Sequence, residues 1–121
     1  MARASVVALS AMRIGIGAVA WVSPSASARL FGLERPAGTQ SPYLWRLFGI
    51  RDVVVGTATL RASPSERRAW VAFGLVCDAA DGAAAIIGRR DGSLPPSTAA
   101  LVAVPATAVG LGVWLLRSGL R

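Results

Sequence analysis

The chain has 121 residues, of which 54% are hydrophobic and only 16% are charged. This composition excludes disorder and disfavours a water-soluble fold, because one small domain (residues 1–121) needs more polar residues to cover its core. The net charge of +7 is the difference between 13 cationic residues and six acidic ones. The cationic residues are all arginine and are spread singly and in pairs, which is unlike the basic stripe of a nucleic-acid-binding protein and typical of membrane-flanking positions.

Four apolar stretches have about the 20 residues that a helix needs to cross the hydrocarbon core of a bilayer. Turn residues or arginines bound them, and tryptophans lie near their ends, as at membrane interfaces. The sequence therefore predicts an all-α integral membrane bundle of four transmembrane helices, over residues 4–22, 43–60, 69–88 and 97–116.

The chain between the first two spans, Pro24 to Leu33, mixes small, apolar and basic residues. This pattern suits a short interfacial helix, with an ordinary loop as the alternative. The first span is expected to be a retained helix and not a signal peptide, because Arg13 interrupts its apolar run.

Four spans place both termini on one side of the cell membrane. By the positive-inside rule, six arginines against four favour termini in the cytoplasm, with inverted or dual insertion left open. The six are Arg3, Arg61, Arg67, Arg68, Arg117 and Arg121, and the four are Arg29, Arg35, Arg89 and Arg90.

Five charged residues fall in the middle of predicted spans, where each costs about 2.5–3.5 kcal/mol on insertion scales if it faces lipid. They must therefore face one another or a wet cavity. They are Arg13, Arg51, Asp52, Asp78 and Asp81, with Arg46 nearer the interface.

Helical spacing places each of these charges on a face of small residues, which allow membrane helices to approach closely. Arg51 and Asp52 are adjacent, point about 100° apart, and are expected to reach different helices. The predicted faces are Ser10, Arg13, Gly17 and Ala20; Gly49, Asp52, Gly56 and Thr59; and Gly74, Asp78, Asp81, Ala85 and Gly88.

The mid-span charges sum to two positive and three negative groups, an excess of one carboxylate. In a low-dielectric site the excess favours one protonated carboxylic acid beside an ionised one, which suits acid–base chemistry or proton-coupled transport. The alternative is a buried salt-bridge network that fixes helix packing and performs no chemistry.

The sequence contains few residues that could bind a metal or a metal-containing cofactor. Histidine is absent and Cys77 is the single cysteine, so zinc, haem and iron–sulfur centres are not expected. Asp78 and Asp81 alone supply too few oxygen ligands for a magnesium site. Pro105, inside the fourth span, predicts a kink, or alternatively a pocket.

The pattern Arg46-x-x-Gly49-x-Arg51-Asp52-x-x-x-Gly56, followed by Asp78-x-x-Asp81, resembles the small four-helix membrane proteins of actinobacteria that are grouped with the DoxX-like families. The likeness extends from Tyr43 to the end of the chain. It implies a four-helix membrane fold and a link to quinone-coupled oxidoreductase complexes. Sterol isomerases and terpene cyclases, which also bury carboxylates among membrane helices, offer an analogy at the level of the fold.

These features favour a membrane-embedded isomerase or cyclase that needs no cofactor and acts on an isoprenoid-, quinone- or sterol-like substrate. One of Asp52, Asp78 and Asp81 would be the protonated acid and another its conjugate base. The other candidate residues would tune these acids or present a ring face to a developing cation: Arg13, Arg46, Arg51, Trp45 and Trp70.

Two other functions stay open. One is a non-catalytic accessory or structural subunit of a membrane complex. The other is a small proton-coupled transporter resembling the multidrug exporters, although Arg13 stands at the depth where those proteins carry their coupling carboxylate. The expected partners are the lipid bilayer, a lipophilic small molecule, and either a second copy of the chain or another subunit of a membrane complex.

Overall fold

The computed structural model describes residues 2–33 and 41–118, and the regular secondary structure of this part of the chain is all α-helix, joined by short turns. Arg35 and Arg121, which entered the topology prediction, lie outside the described residues. The helices are α1 (Ala2–Val22), α2 (Pro24–Leu30), α3 (Ser41–Arg61), α4 (Pro64–Asp91) and α5 (Ala100–Arg117).

Turn chemistry separates the helices as the sequence suggested. The Ser23 hydroxyl accepts a hydrogen bond from the backbone N–H of Ala26 at the start of α2, which gives the short helix predicted between the first two spans. Glu66 accepts hydrogen bonds from the Ser63 backbone N–H and hydroxyl at the start of α4, as in a capping box. Gly92, at a φ of 83°, ends α4 in the left-handed conformation that favours glycine.

Three helices in the described chain are long and apolar enough to cross a membrane, by length and composition. They are Arg3–Val22, Pro64–Asp91 and Ala100–Arg117. The predicted second span forms the 21-residue helix α3 but is not among them, because four charged residues lower its hydropathy: Arg46, Arg51, Asp52 and Arg61. The structure therefore shows three apolar candidate spans where the sequence predicted four.

The helices pack as two antiparallel pairs, α1 with α3 and α4 with α5, and each pair is closer internally than it is to the other pair. Gly17 and Gly49 allow the closest approach within the first pair, since a Cβ at Gly49 would come 2.5 Å from the Gly17 carbonyl oxygen. Small residues at such crossings let membrane helices pack without a hydrophobic driving force.

The two ends of the bundle differ in how they are filled. The end where α1 and α4 begin, which we call the packed end, holds an apolar core of Val6, Leu9, Val71 and Leu115. The opposite end, where α3 and α5 begin and α2 lies, we call the open end. It contains the cavity described below.

Candidate functional site

Arg13 on α1 pairs with Asp78 on α4. Its Nη1 donates to Asp78 Oδ1 at 2.9 Å and its Nη2 donates to Oδ2, so the pair is bidentate. Both residues are buried, with 3% and 6% of their surface exposed. Gly74 makes room for the guanidinium, because a Cβ there would lie 2.5 Å from Arg13 Nη2. The pair bridges the two helix pairs at mid-bundle.

Arg51 on α3 makes the second bridge to α4. Its Nη2 donates to Asp81 Oδ2 at 2.5 Å, and its Cζ lies 5.2 Å from the centroid of the Phe48 ring. Both charged side chains are partly exposed. The prediction that Arg51 reaches another helix is confirmed. Arg51 Nη2 also lies 3.6 Å from Asp52 Oδ1, close enough for charge attraction but not for a hydrogen bond.

Asp52 is the least satisfied acid of the cluster. Only 6% of its surface is exposed, yet its buried Oδ1 makes no hydrogen bond within the described part of the chain. The Arg51 nitrogen at 3.6 Å is too far for a hydrogen bond. A buried carboxylate without hydrogen bonds is costly, so Asp52 is the group best placed to hold a proton or meet a ligand.

A cavity of about 460 Å³ lies between the two helix pairs, from the charged cluster towards the open end. Its volume is within the range of small-molecule sites. Arg13, Asp52, Asp78 and Asp81 line its floor at mid-bundle. The walls are mostly apolar and include Met12, Ile16, Phe31, Leu44, Trp45, Phe48, Leu94, Leu101, Val104, Pro105 and Ala108.

Three aromatic side chains form one side of this cavity, which we call the aromatic wall: Phe31, Trp45 and Phe48. Trp45 stacks on Phe31, with ring centroids 5.7 Å apart, and meets Phe48 edge-on at 5.9 Å. Because Trp45, Phe48 and Asp52 follow one another at helical spacings of three and four, they share one face of α3.

The structure separates the other predicted site residues from this cluster. Arg46 donates to the Trp21 carbonyl oxygen at 3.1 Å, away from the acids. Trp70 pairs with Phe73 on α4 and does not line the cavity. Of the two tryptophans predicted to stabilise a cation, only Trp45 is in position.

Several lining residues were missed by the sequence reasoning. Phe48 carries a local signal, since it lies one helical turn before Asp52. Phe31 directly follows α2, and Leu94 lies in the segment between α4 and α5, so their position depends on tertiary packing alone. Pro105 does line a pocket, the alternative allowed for it. In the described residues, no group of three or more potential ligands among His, Cys, Asp and Glu is placed to hold a metal ion.

A family model matches residues 10–117, and its description is "Domain of unknown function (DUF4267)". The match includes all five charged residues of the mid-bundle cluster, and the chain belongs to this family. Neither the curated proteins nor the solved structures contain a match to the chain.

Proposed function

We propose that this member of the DUF4267 family is a membrane enzyme that performs acid–base chemistry, without a cofactor, on a lipophilic small molecule. The observation that carries the proposal is Asp52. It is a buried carboxyl group whose Oδ1 has no hydrogen-bond partner in the described chain, and it lies on the floor of an apolar cavity.

The ion pairs assign different roles to the three acids. Asp78 and Asp81 each accept a hydrogen bond from an arginine, so each of these carboxylates has a cation paired with it. The charge excess then falls on Asp52, which holds the proton as a neutral carboxylic acid. We therefore assign proton donation to Asp52 and treat Asp78 and Asp81 as fixed negative charges beside it.

Epoxide opening illustrates the chemistry. The Asp52 hydroxyl proton passes to the epoxide oxygen as a C–O bond breaks, which leaves a carbocation and the Asp52 carboxylate. Loss of a proton from carbon to that carboxylate then forms an alkene and restores the acid. Alkene isomerisation and cyclisation follow the same proton balance, and none of these reactions requires an oxidant or reductant.

The walls of the cavity support an isoprenoid-, quinone- or sterol-like substrate. Apolar side chains line most of the space above Asp52, so a hydrocarbon skeleton is accommodated without unpaired polar groups. The Trp45 ring favours positive charge developing on the substrate, whereas the Phe48 ring already contacts the Arg51 guanidinium.

The proposal includes α3 as a fourth transmembrane helix. Its two mid-span charges, Arg51 and Asp52, are partly or fully buried, whereas its exposed face carries large apolar side chains, as expected for contact with lipid. These are Tyr43, Leu44, Leu47, Ile50, Val54 and Leu60. Four spans would place both termini in the cytoplasm by the positive-inside rule. The relation to DoxX-like proteins, which rests on the Gly49-x-Arg51-Asp52 element, is likewise part of the proposal.

The test uses the full-length protein in nanodiscs with two probes, geranyl acetate and 6,7-epoxygeranyl acetate, and follows products by gas chromatography with mass spectrometry. We expect conversion of at least one probe, lowered about 100-fold or more by Asp52→Asn. Asp91→Asn, the same change at an exposed carboxylate, is the matched control and should keep the activity. An inactive wild-type protein, or an active Asp52→Asn variant, would contradict the proposal.

A second candidate function is a non-catalytic subunit of a membrane complex. The observation that favours it is the pairing of Arg13 with Asp78 and of Arg51 with Asp81, which joins the two helix pairs as a structural network would. This function would be favoured if the protein purified from membranes with a stoichiometric second subunit and was inactive on both probes.

A further inference from the structure

The charges around the cavity leave room for one additional cation. The Arg13 guanidinium is paired with Asp78, and the Arg51 guanidinium is paired with Asp81. Arg13 is the one arginine among the described residues that line the cavity. When all three acids are ionised, the cluster therefore carries one uncompensated negative charge, at Asp52.

The aromatic wall lies beside that charge. Trp45 and Asp52 are seven residues apart on one helix, which corresponds to about 10 Å along its axis, and Phe48 lies between them. The faces of aromatic rings attract cations, most strongly those of tryptophan. The Phe48 ring already contacts the Arg51 guanidinium, and Trp45 lies about two helical turns from Asp52, so the aromatic wall suits the carbon chain of a ligand whose charge pairs with Asp52.

We propose that the cavity binds lipophilic tertiary amines as ammonium ions, with the nitrogen beside Asp52 and the carbon chain along the aromatic wall. This inference rests on the proposed function, in which Asp52 holds a proton, and it names the chemical class that the site selects. The negative charge that Asp52 carries after proton transfer favours a protonated substrate and a stable ammonium ion alike.

Entry from the membrane requires no charged species to cross lipid. The amine arrives neutral, its nitrogen lone pair takes the Asp52 proton, an N–H bond forms and the Asp52 O–H bond breaks. The products are an ammonium ion and a carboxylate in contact, so the net charge of the site is unchanged. Ion pairing in a site of low dielectric then holds the ligand.

The matched ligands are N,N-dimethylgeranylamine and the hydrocarbon in which a CH group replaces its nitrogen. The two share shape and chain, so their difference reports the charge. The full-length chain is placed in nanodiscs with Trp21, Trp70 and Trp114 changed to Phe, which leaves Trp45 as the fluorophore. Titration of empty nanodiscs corrects for partition of each ligand into lipid.

We expect the amine to bind about tenfold or more tightly than the hydrocarbon. Asp91→Asn should keep this preference, and Asp52→Asn should reduce it to within about threefold. Equal affinity of the two ligands for the unmodified site would overturn the inference, as would a preference that survives Asp52→Asn. The comparison of the amine with the hydrocarbon at the unmodified site tests the inference even if the Asp52→Asn variant does not fold.

The two proposals fail separately in these experiments. Amine selectivity without turnover of the isoprenoid probes would support the inference and contradict the enzyme activity. Turnover that depends on Asp52, without amine selectivity, would support the enzyme activity and contradict the inference.

Discussion

Arg13 of α1 and Asp78 of α4 form a bidentate, buried ion pair that bridges the two antiparallel helix pairs of the bundle. Each helix pair packs closely by itself through small residues and apolar contacts, but contacts between the pairs are fewer. The ion pair therefore fixes how the halves meet, and hence the shape of the cavity between them.

Removal of one partner of this ion pair should destabilise the fold strongly. Arg13→Met leaves the Asp78 carboxylate buried without its partner, and we expect a loss of about 3–5 kcal/mol in the free energy of unfolding. Arg13→Met combined with Asp78→Leu should recover most of this loss, because an apolar pair of similar volume replaces the charges. Unfolding in mixed micelles, followed by circular dichroism, measures the unfolding free energy of both variants. A loss below about 1 kcal/mol for Arg13→Met would contradict the bridging role.

Close packing of α1 on α3 predicts different effects at two neighbouring glycines. A Cβ at Gly17 would come 2.9 Å from the Val53 backbone nitrogen, whereas a Cβ at Gly15 meets nothing within 4 Å. Gly17→Ala should therefore cost about 1–3 kcal/mol of unfolding free energy, and Gly15→Ala should stabilise the helix by up to about 1 kcal/mol. The same unfolding assay compares them. Equal effects at the two positions would show that α1 does not approach α3 as closely as described.

Insertion of α3 across the membrane predicts which segments share a side. With Cys77 changed to Ala, single cysteines at the exposed positions Ser25, Ser65 and Ser93 can be labelled with an impermeant maleimide in intact cells. If α3 spans the membrane and the termini are cytoplasmic, Ser25→Cys and Ser93→Cys are labelled from outside, and Ser65→Cys only after permeabilisation. Labelling of Ser25→Cys and Ser65→Cys from the same side would show that α3 does not cross.

Filling the cavity should block the ligand and spare the fold. Val104 lines the cavity and Val102, two residues earlier on α5, does not. Val104→Phe should lower the affinity for N,N-dimethylgeranylamine about tenfold or more, while the unfolding free energy stays unchanged or rises by up to about 2 kcal/mol. Val102→Phe is the matched control and should keep the affinity. The Trp45 fluorescence titration measures the affinity of each variant. An equal loss of affinity in both variants would show that the ligand binds elsewhere.

The helix faces could be predicted from the sequence because helical spacing is a local property. Almost every small or charged residue assigned to a buried face is buried, including Ser10, Gly17, Gly56 and Gly88; Asp81 is only partly so. The need for ion pairs also followed from the cost of charge within a span. Which arginine meets which aspartate did not follow, since those pairings depend on how the two helix pairs dock.

The cavity, and the status of α3 as a candidate span, could not be predicted from the sequence for the same reason. Phe31 joins Trp45 only when α2 folds back beside α3. The hydropathy of α3 is averaged over all its residues, so charges that turn inward, such as Asp52, mask an outward face as apolar as Leu47 and Val54 make it. An average along the chain cannot separate the two faces of a helix.

The central claim is that Asp52 is a neutral carboxylic acid facing the cavity. Infrared spectroscopy of the full-length protein, in a detergent without ester groups, detects the carbonyl stretch of a protonated carboxyl group directly. The account predicts such a band at neutral pH in the wild-type protein and in Asp91→Asn, and its loss in Asp52→Asn. A wild-type spectrum without the band, or a band that persists in Asp52→Asn, would contradict it.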